Sequence, residues 1–411
     1  LAAGLVTLLR GDEEPTDRLT DQPNKKTSTT NITARAMSGA EMLAEGTIVG
    51  FGDPLLDITA DVEDLDFMDQ FGLRPNDAIL AGEKQAGLSK ALCERYKPRF
   101  SAGGSAQNTL RVLQWILRQP RISIMVGAIG YDQFGRYLEQ NARECGVDVR
   151  YHYVQEESTG TCCVLLSKRG VCRSLVTTKG ASACYSIQHL RRIWEPVVER
   201  ARFFYVTGYF MSGNADAMFE VAQHARQKGK VLCLNLSAPF LMPLLREQIR
   251  AFLPYVDLVF GNESELDAFI EVHCEPGKKL SREDGVRFLS TYMASPSTPR
   301  LAVITQGEDP VLVAKGSQLD TYPVEEKIAD LEPSIVDTNG AGDAFVGGFL
   351  ASLIRGCPIE VCVKNGCVAA FAIIHEVGCT PPDRSKVRFY SNGRNAEPRI
   401  PSITTRQISI S

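Results

Sequence analysis

The chain has 411 residues, of which 44% are hydrophobic and 23% are charged, and its formal net charge is −4. This composition is typical of a globular protein of one or two domains, and the negative charge argues against a nucleic-acid-binding surface. No apolar run in the sequence reaches the length of a transmembrane helix.

The cysteine and histidine residues argue against a disulfide-bonded secreted protein and against a zinc-binding protein. The twelve cysteines form no C-x-x-C pair, and several lie inside apolar runs, as the reduced thiols of cytosolic proteins do. The five histidines show no spacing typical of zinc ligands. We therefore expect a cytoplasmic protein, with the nucleus as a further compartment, and no structural zinc site.

The two ends of the chain differ from its middle. Residues 1–46 are rich in Asp, Glu, Thr, Asn and Lys and show no sustained period, and residues 392–411 are polar, so we predict that both segments are disordered. The apolar residues 1–9 have no basic residues before them, which does not indicate a secretory or transit peptide. The folded part of the chain is predicted to span residues 47–391.

Strands and helices alternate between these ends. Strands are predicted at residues 47–51, 122–126, 203–207, 231–234, 257–260 and 301–305, with a further strand-like run at 334–336. Helices are predicted at residues 108–118, 134–145, 215–227, 263–271, 282–293, 343–354 and 359–374. The alternation predicts an α/β fold, with a central, mostly parallel sheet that is covered by helices on both faces.

A glycine-rich turn at residues 337–345 (DTNGAGDAF) leads into the helix predicted at 343–354. Two glycines flank one alanine, so the backbone N–H groups and the positive end of the helix dipole can face one anion. Asp343 lies in the first turn of that helix, where its carboxylate can take a proton from a hydroxyl group. An anion site and a base on one turn indicate phosphoryl transfer to an alcohol. The alternative interpretation is an ordinary strand-to-helix turn with Asp343 as a first-turn charge.

A second motif, residues 52–57 (GDPLLD), follows the first predicted strand. Active sites of open α/β sheets lie beyond the carboxyl ends of the strands. Asp57 can accept two hydrogen bonds there from a vicinal diol, which suits the 2′- and 3′-hydroxyls of ribose, although it is also a plausible turn residue after proline. The sequence contains no Walker P-loop and no protein-kinase motif set, so phosphate binding is expected from the turn at 340–343.

These motifs resemble those of a known family. The nonamer at 337–345 resembles the C-terminal signature of the ribokinase-like (PfkB) carbohydrate and nucleoside kinases, and residues 102–108 (AGGSAQN) resemble their N-terminal signature. Residues 52–57 and 235–240 (NLSAPF) are similar to the branch of that family that phosphorylates adenosine. The similarity extends from about residue 47 to about residue 382, which is most of the chain.

The resemblance implies a ribokinase-like fold and a kinase activity. In such a fold, the segments at about 55–101 and 150–182 form a small α/β lid; the alternative is a pair of ordinary surface insertions. The implied reaction is transfer of the γ-phosphoryl group of ATP, with Mg²⁺, to the 5′-hydroxyl of adenosine, which yields AMP and ADP. The resemblance also implies a monomer.

The family resemblance carries individual roles over to this sequence. Asp343 would be the general base, and the backbone N–H groups of Gly340, Ala341 and Gly342 would hold the phosphoryl charge, with Arg173 reaching the phosphate from the lid. The implied substrate-binding residues are Asp53, Asp57, Leu80, Gly104, Ser105, Asn108, Cys162, Leu175, Thr177, Phe210, Phe240 and Asn339. The implied nucleotide-binding residues are Asn262, Thr305, Gly307, Gly340 and Gly342, and Glu265 would act on Mg²⁺ through water.

Simpler roles remain open for several of these residues. Asn108 can be the N-cap of its helix, and Arg173 can be a solvated charge at a strand edge. Phe210 and Phe240 can be ordinary core residues. The pair Asn262 and Glu265 can be a helix start with acidic first-turn residues.

The sequence departs from the family pattern at two positions. Asp53 stands where Asn is usual, and an ionised carboxylate accepts hydrogen bonds but cannot donate them. A second carboxylate beside Asp57 would also raise the pKa of one of the two groups. Ala78 stands where some members have Gln. A kinase for another nucleoside or sugar, a non-catalytic nucleoside-binding protein, and a scaffold acting through its polar ends are therefore the alternatives.

Overall fold

Two sheets organise the protein, and the computed structural model describes residues 42–167, 172–275, 277–324 and 335–391. The predicted disordered ends, apart from residues 42–46, lie outside the described residues. The strands are β1 (Ile48–Phe51), β2 (Leu55–Asp61), β3 (Ala78–Leu80), β4 (Arg99–Gly103), β5 (Ser123–Gly130), β6 (Asp148–Val154), β7 (Thr161–Ser167), β8 (Cys172–Thr178), β9 (Phe203–Thr207), β10 (Val231–Asn235), β11 (Leu258–Asn262), β12 (Leu301–Gln306), β13 (Asp309–Lys315) and β14 (Gln318–Tyr322).

Helices follow most of the strands. They are α1 (Leu65–Gln70), α2 (Leu88–Arg95), α3 (Ser105–Leu117), α4 (Gln133–Glu144), α5 (Ile187–Arg192), α6 (Gly208–Lys228), α7 (Leu241–Leu244), α8 (Arg246–Phe252), α9 (Glu263–His273), α10 (Arg282–Thr291), α11 (Ala341–Leu353) and α12 (Ile359–Ile373). Within the described ranges, no helix is long and apolar enough to cross a membrane.

The larger sheet has nine strands among the described residues, in the order β14-β13-β12-β11-β10-β9-β1-β5-β6. The strands from β12 to β6 pair in parallel, and β13 and β14 are antiparallel at one edge. Side chains of successive residues alternate between its faces. Ile48 therefore belongs to the core cluster that includes residues of α3, α4, α11 and α12, whereas Val49 belongs to the cluster that includes residues of α5 to α10. Apolar side chains project from both faces of the larger sheet, and helices cover both faces. This arrangement confirms the predicted α/β fold.

The predicted elements are present with small changes in their ends, except at two places. The helix predicted at 215–227 begins seven residues earlier, at Gly208. The strand-like run predicted at 334–336 is wrong for the residues described there. Ile335 and Val336 are exposed and belong to no strand, and the Val336 N–H donates a hydrogen bond to Ile374 O. An apolar run of two or three residues is too short to distinguish a strand from an extended connection.

The smaller sheet has five strands among the described residues, in the order β3-β8-β7-β2-β4. Helices α1 and α2 cover its outer face with Phe67, Met68, Leu88 and Leu92. Its inner face faces the larger sheet. The structure places β6 in the larger sheet, so the first residues of the segment at 150–182 do not belong to the smaller one.

Candidate active site

A cavity of about 910 Å³ lies between the larger and the smaller sheet. Residues at or near the carboxyl ends of β9, β10, β11 and β12 line one side, and residues of β3, β7 and β8 line the other. The carboxyl ends of parallel strands meet at one edge of a sheet, which is where the sequence predicts the site. The two signature segments, 102–108 and 337–345, both reach this cavity.

The cavity brings together nearly all the residues that the sequence singles out. The predicted catalytic, nucleotide-binding and metal residues that line it are Asp343, Arg173, Gly340, Ala341, Gly342, Asn262, Glu265, Thr305 and Gly307. The predicted substrate-binding residues that line it are Asp53, Asp57, Leu80, Gly104, Ser105, Asn108, Cys162, Leu175, Thr177, Phe240 and Asn339.

Phe210 is the exception and corrects the prediction. Its side chain is fully buried in the core, where its ring packs against those of Phe51 and Tyr185 at centroid distances of 6.4 and 5.2 Å. Helix α6 begins at Gly208, two residues earlier than Phe210, so neighbouring side chains point in directions about 100° apart. Tyr209 therefore lines the cavity in its place, and its ring lies 6.3 Å from that of Phe240.

Asp343 lies in the first turn of α11 and is held by two side chains of α3. Ser105 Oγ donates to Asp343 Oδ1 at 2.6 Å, and Asn108 Nδ2 donates to Oδ2 at 3.0 Å. Burial raises the pKa of Asp343 to about 6, while these two hydrogen bonds and the charge of Arg173 oppose the rise. A carboxylate with this pKa is ionised at neutral pH and still basic enough to accept a proton. Asn108 lies inside α3, which begins at Ser105, so it is not the helix N-cap.

The turn before α11 leaves the end of the helix open to the cavity. Gly340 adopts φ +81°, which favours glycine, and a side chain there would also meet Cys379. No side chain of the described residues caps the helix, although the Ala341 N–H makes a long hydrogen bond of 3.3 Å to Thr338 O. A Cβ atom on Gly342 would meet nothing within 4 Å. The first turn of α11 can therefore receive an anion from the cavity side.

Arg173 connects the smaller sheet to this turn. It lies in β8, and its Nη1 atom donates to Thr338 O at 2.6 Å. Its guanidinium therefore lies beside the open end of α11 and is not a free charge at a strand edge. A planar group with five N–H donors suits a phosphoryl group at this place.

Asp57 lies in β2 and is 4% exposed. Its carboxylate lies directly against Gly103, where a Cβ atom would stand only 2.2 Å from Asp57 Oδ1. Asn339 Nδ2 donates to Asp57 Oδ2 at 3.2 Å. Burial, and after it the repulsion from the carboxylates of Asp343 and Asp337, raises the pKa of Asp57 to about 7. The repelling neighbours are therefore these two groups, whereas the sequence pointed to Asp53.

Asp53 is paired with a lysine that sequence reasoning missed. Lys179 Nζ lies 3.1 Å from Asp53 Oδ2. Burial raises the pKa of Asp53, while the charge and the hydrogen bond of Lys179 oppose the rise. The available signal was a lysine just after the strand β8, opposite in charge to the unusual Asp53.

The remaining lining of the cavity on the small-sheet side is largely apolar. Cys162, Leu175 and Thr177 project from β7 and β8, and Thr177 Oγ1 donates to Cys162 Sγ at 3.6 Å. Leu80, at the end of β3, is 37% exposed, and Ala78 also lines the cavity. This surface can cover a flat, apolar ring such as a nucleobase.

The residues present fit Mg²⁺ only through water. Glu265 is 6% exposed, and its oxygens accept hydrogen bonds from the backbone N–H and from Nδ2 of Asn262, both at 3.0 Å. The bond from the Asn262 N–H and a further bond from the Glu265 N–H to Asn262 Oδ1 form a capping box at the start of α9, so the simpler role predicted for this pair is also present. Within the described ranges, no group of three or more His, Cys, Asp or Glu residues can hold a metal ion directly. Mg²⁺ generally keeps several waters when it binds through nucleotide phosphates.

Comparisons with known proteins agree with this arrangement. Residues 71–386 match the pfkB family carbohydrate kinase model. Adenosine kinase 2 of Arabidopsis thaliana is 38% identical over 347 residues, which cover 83% of this chain and 97% of that protein. Two solved structures, each with a TM-score of 0.77, are also similar. The adenosine kinase of Anopheles gambiae, in complex with P1,P4-di(adenosine-5) tetraphosphate, is 38% identical and covers 83% of this chain and 100% of its own.

The adenosine kinase of Schistosoma mansoni in complex with 2-fluoroadenosine is 32% identical, and the match covers 84% of this chain and 99% of that one. These similarities confirm the predicted ribokinase-like fold. Because the family match and the relatives each span most of the sequence, the chain belongs to the pfkB family of carbohydrate kinases.

Proposed function

We propose that this protein is an adenosine kinase, which transfers the γ-phosphoryl group of ATP to the 5′-hydroxyl of adenosine and releases AMP and ADP. The observation that carries the proposal is one juxtaposition. Asp343, a half-buried carboxylate at the open end of α11, lies in the same cavity as Asp57, the carboxylate suited to a ribose diol. A base, an anion site and a diol acceptor are the three groups that phosphorylation of a nucleoside requires.

Asp343 is the proposed base. Its carboxylate accepts the proton of the 5′-hydroxyl as the oxygen bonds to phosphorus, and the leaving group departs as ADP. The hydrogen bonds from Ser105 and Asn108 hold the carboxylate in one orientation while it does so. Because side chains of the protein itself hold the carboxylate, little reorganisation is needed in the transition state.

The protein stabilises the negative charge of the transferred phosphoryl group from two sides. The backbone N–H groups at the start of α11, around Gly342, face it from one side, and Arg173 faces it from the smaller sheet. Mg²⁺, bound to the nucleotide phosphates with Glu265 acting on its water, would supply further positive charge.

The nucleoside would bind in the part of the cavity that is lined by Asp57 and by the apolar residues of the smaller sheet. Asp57 would accept the 2′- and 3′-hydroxyls, and the apolar surface of Cys162, Leu175 and Phe240 would cover the base. A free sugar would leave this apolar surface in contact with water, which favours a nucleoside as the substrate. The smaller sheet acts as the proposed lid, and it favours transfer to the nucleoside over hydrolysis because it limits access of water.

We also propose that the protein is a cytoplasmic monomer. All twelve cysteines lie within the described residues and are free thiols, as expected in a reducing compartment. Helices α1 and α2 already cover the outer face of the smaller sheet, so this face offers no apolar surface of the kind that a permanent dimer buries.

Phosphoryl transfer from γ-labelled ATP tests the proposed function. We expect efficient labelling of adenosine and weak labelling of ribose, with inosine and guanosine measured in parallel to define the base preference. The substitution Asp343→Ala should lower turnover by about 10³-fold or more while adenosine still binds, because it removes the base and leaves the nucleoside pocket. Asp64→Ala, which removes a helix cap of α1 outside the cavity, is the matched control.

Two outcomes would reject the assignment. Near-normal turnover of Asp343→Ala would exclude Asp343 as the base. Binding of adenosine without any transfer by the unaltered chain would favour a non-catalytic nucleoside-binding protein.

A further inference from the structure

We propose that Arg111 is a positioning residue of this active site: it orients the amide of Asn108 toward Asp343 and places a buried positive charge near Asp57. The inference rests on the proposed function, because that function makes Asp343 the base and Asp57 the ribose ligand. Arg111 lies in α3, behind the residues that line the cavity, and no sequence motif singles it out.

Arg111 occupies a position where a charged residue needs a specific partner. Its side chain is almost fully buried, with 3% of its surface exposed. Its Nη1 atom donates to Ala102 O at 3.0 Å and to Asn108 Oδ1 at 3.3 Å, and its Nε atom has no partner among the described residues. Burying a guanidinium costs free energy that an apolar side chain would not incur, so we infer a role beyond packing.

The hydrogen bonds determine how the Asn108 amide is oriented. An amide has one acceptor oxygen and one donor nitrogen, a guanidinium only donates, and an ionised carboxylate only accepts. Asn108 lies between Arg111 and Asp343, so its Oδ1 atom faces the former and its Nδ2 atom faces the latter. The reversed amide would place donor against donor and acceptor against acceptor. Arg111 therefore selects the orientation in which Asn108 supports the ionised base.

The charge of Arg111 acts on Asp57. The carboxylates of Asp343 and Asp337 are close enough to repel that of Asp57, which adds to the effect of burial on the pKa of Asp57. Arg111 opposes this effect and lowers the pKa of Asp57. Removing its charge should therefore make Asp57 harder to ionise.

Other groups also face these two carboxylates. The remaining charged groups are Arg173, from β8, and Glu265, from α9. The neutral titratable groups are Tyr205, Tyr209, Cys162, Cys163 and Cys379, whose pKa values are all raised by burial. Among the described residues, Arg111 and Arg173 are thus the cations that act on these two carboxylates, and of the two it is Arg111 that bonds to a residue holding the base.

Three substitutions separate the two effects of Arg111. Arg111→Met removes both its charge and its hydrogen bonds, Arg111→Gln removes the charge but keeps a donor, and Arg111→Lys keeps the charge. The matched control is Arg300→Met, because Arg300 is a buried arginine that bonds to the backbone carbonyls of Leu289, Tyr292 and Leu253 outside this cavity.

Kinetics with adenosine provide the first readout. Arg111→Met should lower kcat about tenfold and move the acid limb of its pH profile upward by about one unit, because the base loses an oriented donor. Arg111→Gln should lower kcat less, since it can still bond to Asn108, but it should weaken adenosine binding at acidic pH. Arg111→Lys should keep both kcat and the affinity for adenosine within about threefold of those of the unaltered enzyme.

Carboxyl titration by ¹³C NMR of the unliganded, aspartate-labelled protein provides a readout that needs no activity. The resonances of Asp57 and Asp343 should titrate at higher pH in Arg111→Met and at the normal pH in Arg300→Met. Unchanged titration of both groups in Arg111→Met, or an equal shift in Arg300→Met, would overturn the proposal. If Arg111→Met does not fold, the comparison of Arg111→Gln with Arg111→Lys decides it in the same way.

The two readouts keep the proposals separate. If the unaltered chain labels no adenosine, the proposed function fails, while the titration still reports whether Arg111 holds this carboxylate cluster.

Discussion

The ammonium group of Lys179 lies 3.1 Å from the carboxylate of Asp53, and both side chains line the cavity. Lys179 Nζ also donates to Tyr209 O at 2.8 Å and to Ser212 Oγ at 3.0 Å, so each of its three protons has an acceptor. Asp53 lies in the connection from β1 to β2, and Lys179 directly follows β8. The pair therefore joins two of the segments through which the chain passes between the larger and the smaller sheet.

The pair predicts how stability responds to substitution and pH. Lys179→Met should lower the free energy of unfolding by about 3–5 kcal/mol, because it leaves the Asp53 carboxylate buried without its cation. The loss should be greater at about pH 8 than at about pH 5. The Asp53 pKa is already raised by burial, so the folded state prefers the protonated carboxyl and loses stability as the pH rises through that raised value.

Urea unfolding at the two pH values measures this effect. Asp53→Asn is the matched control, since an amide oxygen can still accept from Lys179, and it should cost only about 1 kcal/mol. Asp53→Asn combined with Lys179→Met should be more stable than Lys179→Met alone. A double variant that is no more stable would show that the buried charge is not the cause.

Turnover should depend on pH through the two raised carboxylates of the active site. An ordinary aspartate titrates at about pH 4. Burial raises the pKa of Asp343 to about 6, so kcat should fall as the pH decreases through about 6, where the base becomes protonated. Burial and neighbouring carboxylates raise the pKa of Asp57 to about 7, so nucleoside affinity should weaken below that value. Steady-state kinetics between about pH 4 and pH 8 measure the pH dependence of kcat and of the KM for the nucleoside. A fall of kcat only near pH 4 would contradict the assignment of Asp343 as the base.

Gly342 offers a steric test of the anion site. Gly342→Ala should lower turnover with ATP by about tenfold or more, because the new methyl group enters the space proposed for the phosphoryl group. The fold should keep its stability, since a Cβ atom there meets nothing within 4 Å and alanine favours a helix.

A neighbouring glycine provides the comparison for this test. Gly340→Ala should destabilise the protein, because its φ of +81° strains any side chain and a Cβ atom would lie 2.5 Å from Cys379 Cβ. Thermal unfolding and kinetics of both variants distinguish the two effects. Full activity of Gly342→Ala would place the phosphoryl group elsewhere.

The neighbours Tyr209 and Phe210 should respond differently to truncation. Tyr209→Ala should raise the KM for adenosine about threefold to tenfold with little loss of stability, because it removes a ring from the cavity wall. Phe210→Ala should instead cost about 3–5 kcal/mol of stability, because it empties a fully buried site. Adenosine kinetics and urea unfolding of the pair measure this. A specific KM effect in Phe210→Ala alone would restore the original prediction for Phe210.

Much of the fold could be predicted from the sequence because the signals are local. Apolar periods in the chain predict where strands and helices lie, and parallel strands bring their carboxyl ends to one edge. Gly104, Gly340, Gly342 and Asp343 of the two signature segments therefore reach one cavity, as expected. The run at 334–336 was misread because two or three apolar residues carry no usable period.

The sequence by itself determined the order of the elements and the chemical groups at the carboxyl edge of the larger sheet, since these depend on residue type and spacing. Only the tertiary structure decided which groups meet. Ser105 and Asp343 are 238 positions apart and bond through the packing of α3 against α11. The rotation of α6 turns Tyr209, and not Phe210, toward the cavity, and the approach of two crossing segments pairs Asp53 with Lys179. Such contacts arise from the relative placement of whole elements, which no local pattern encodes.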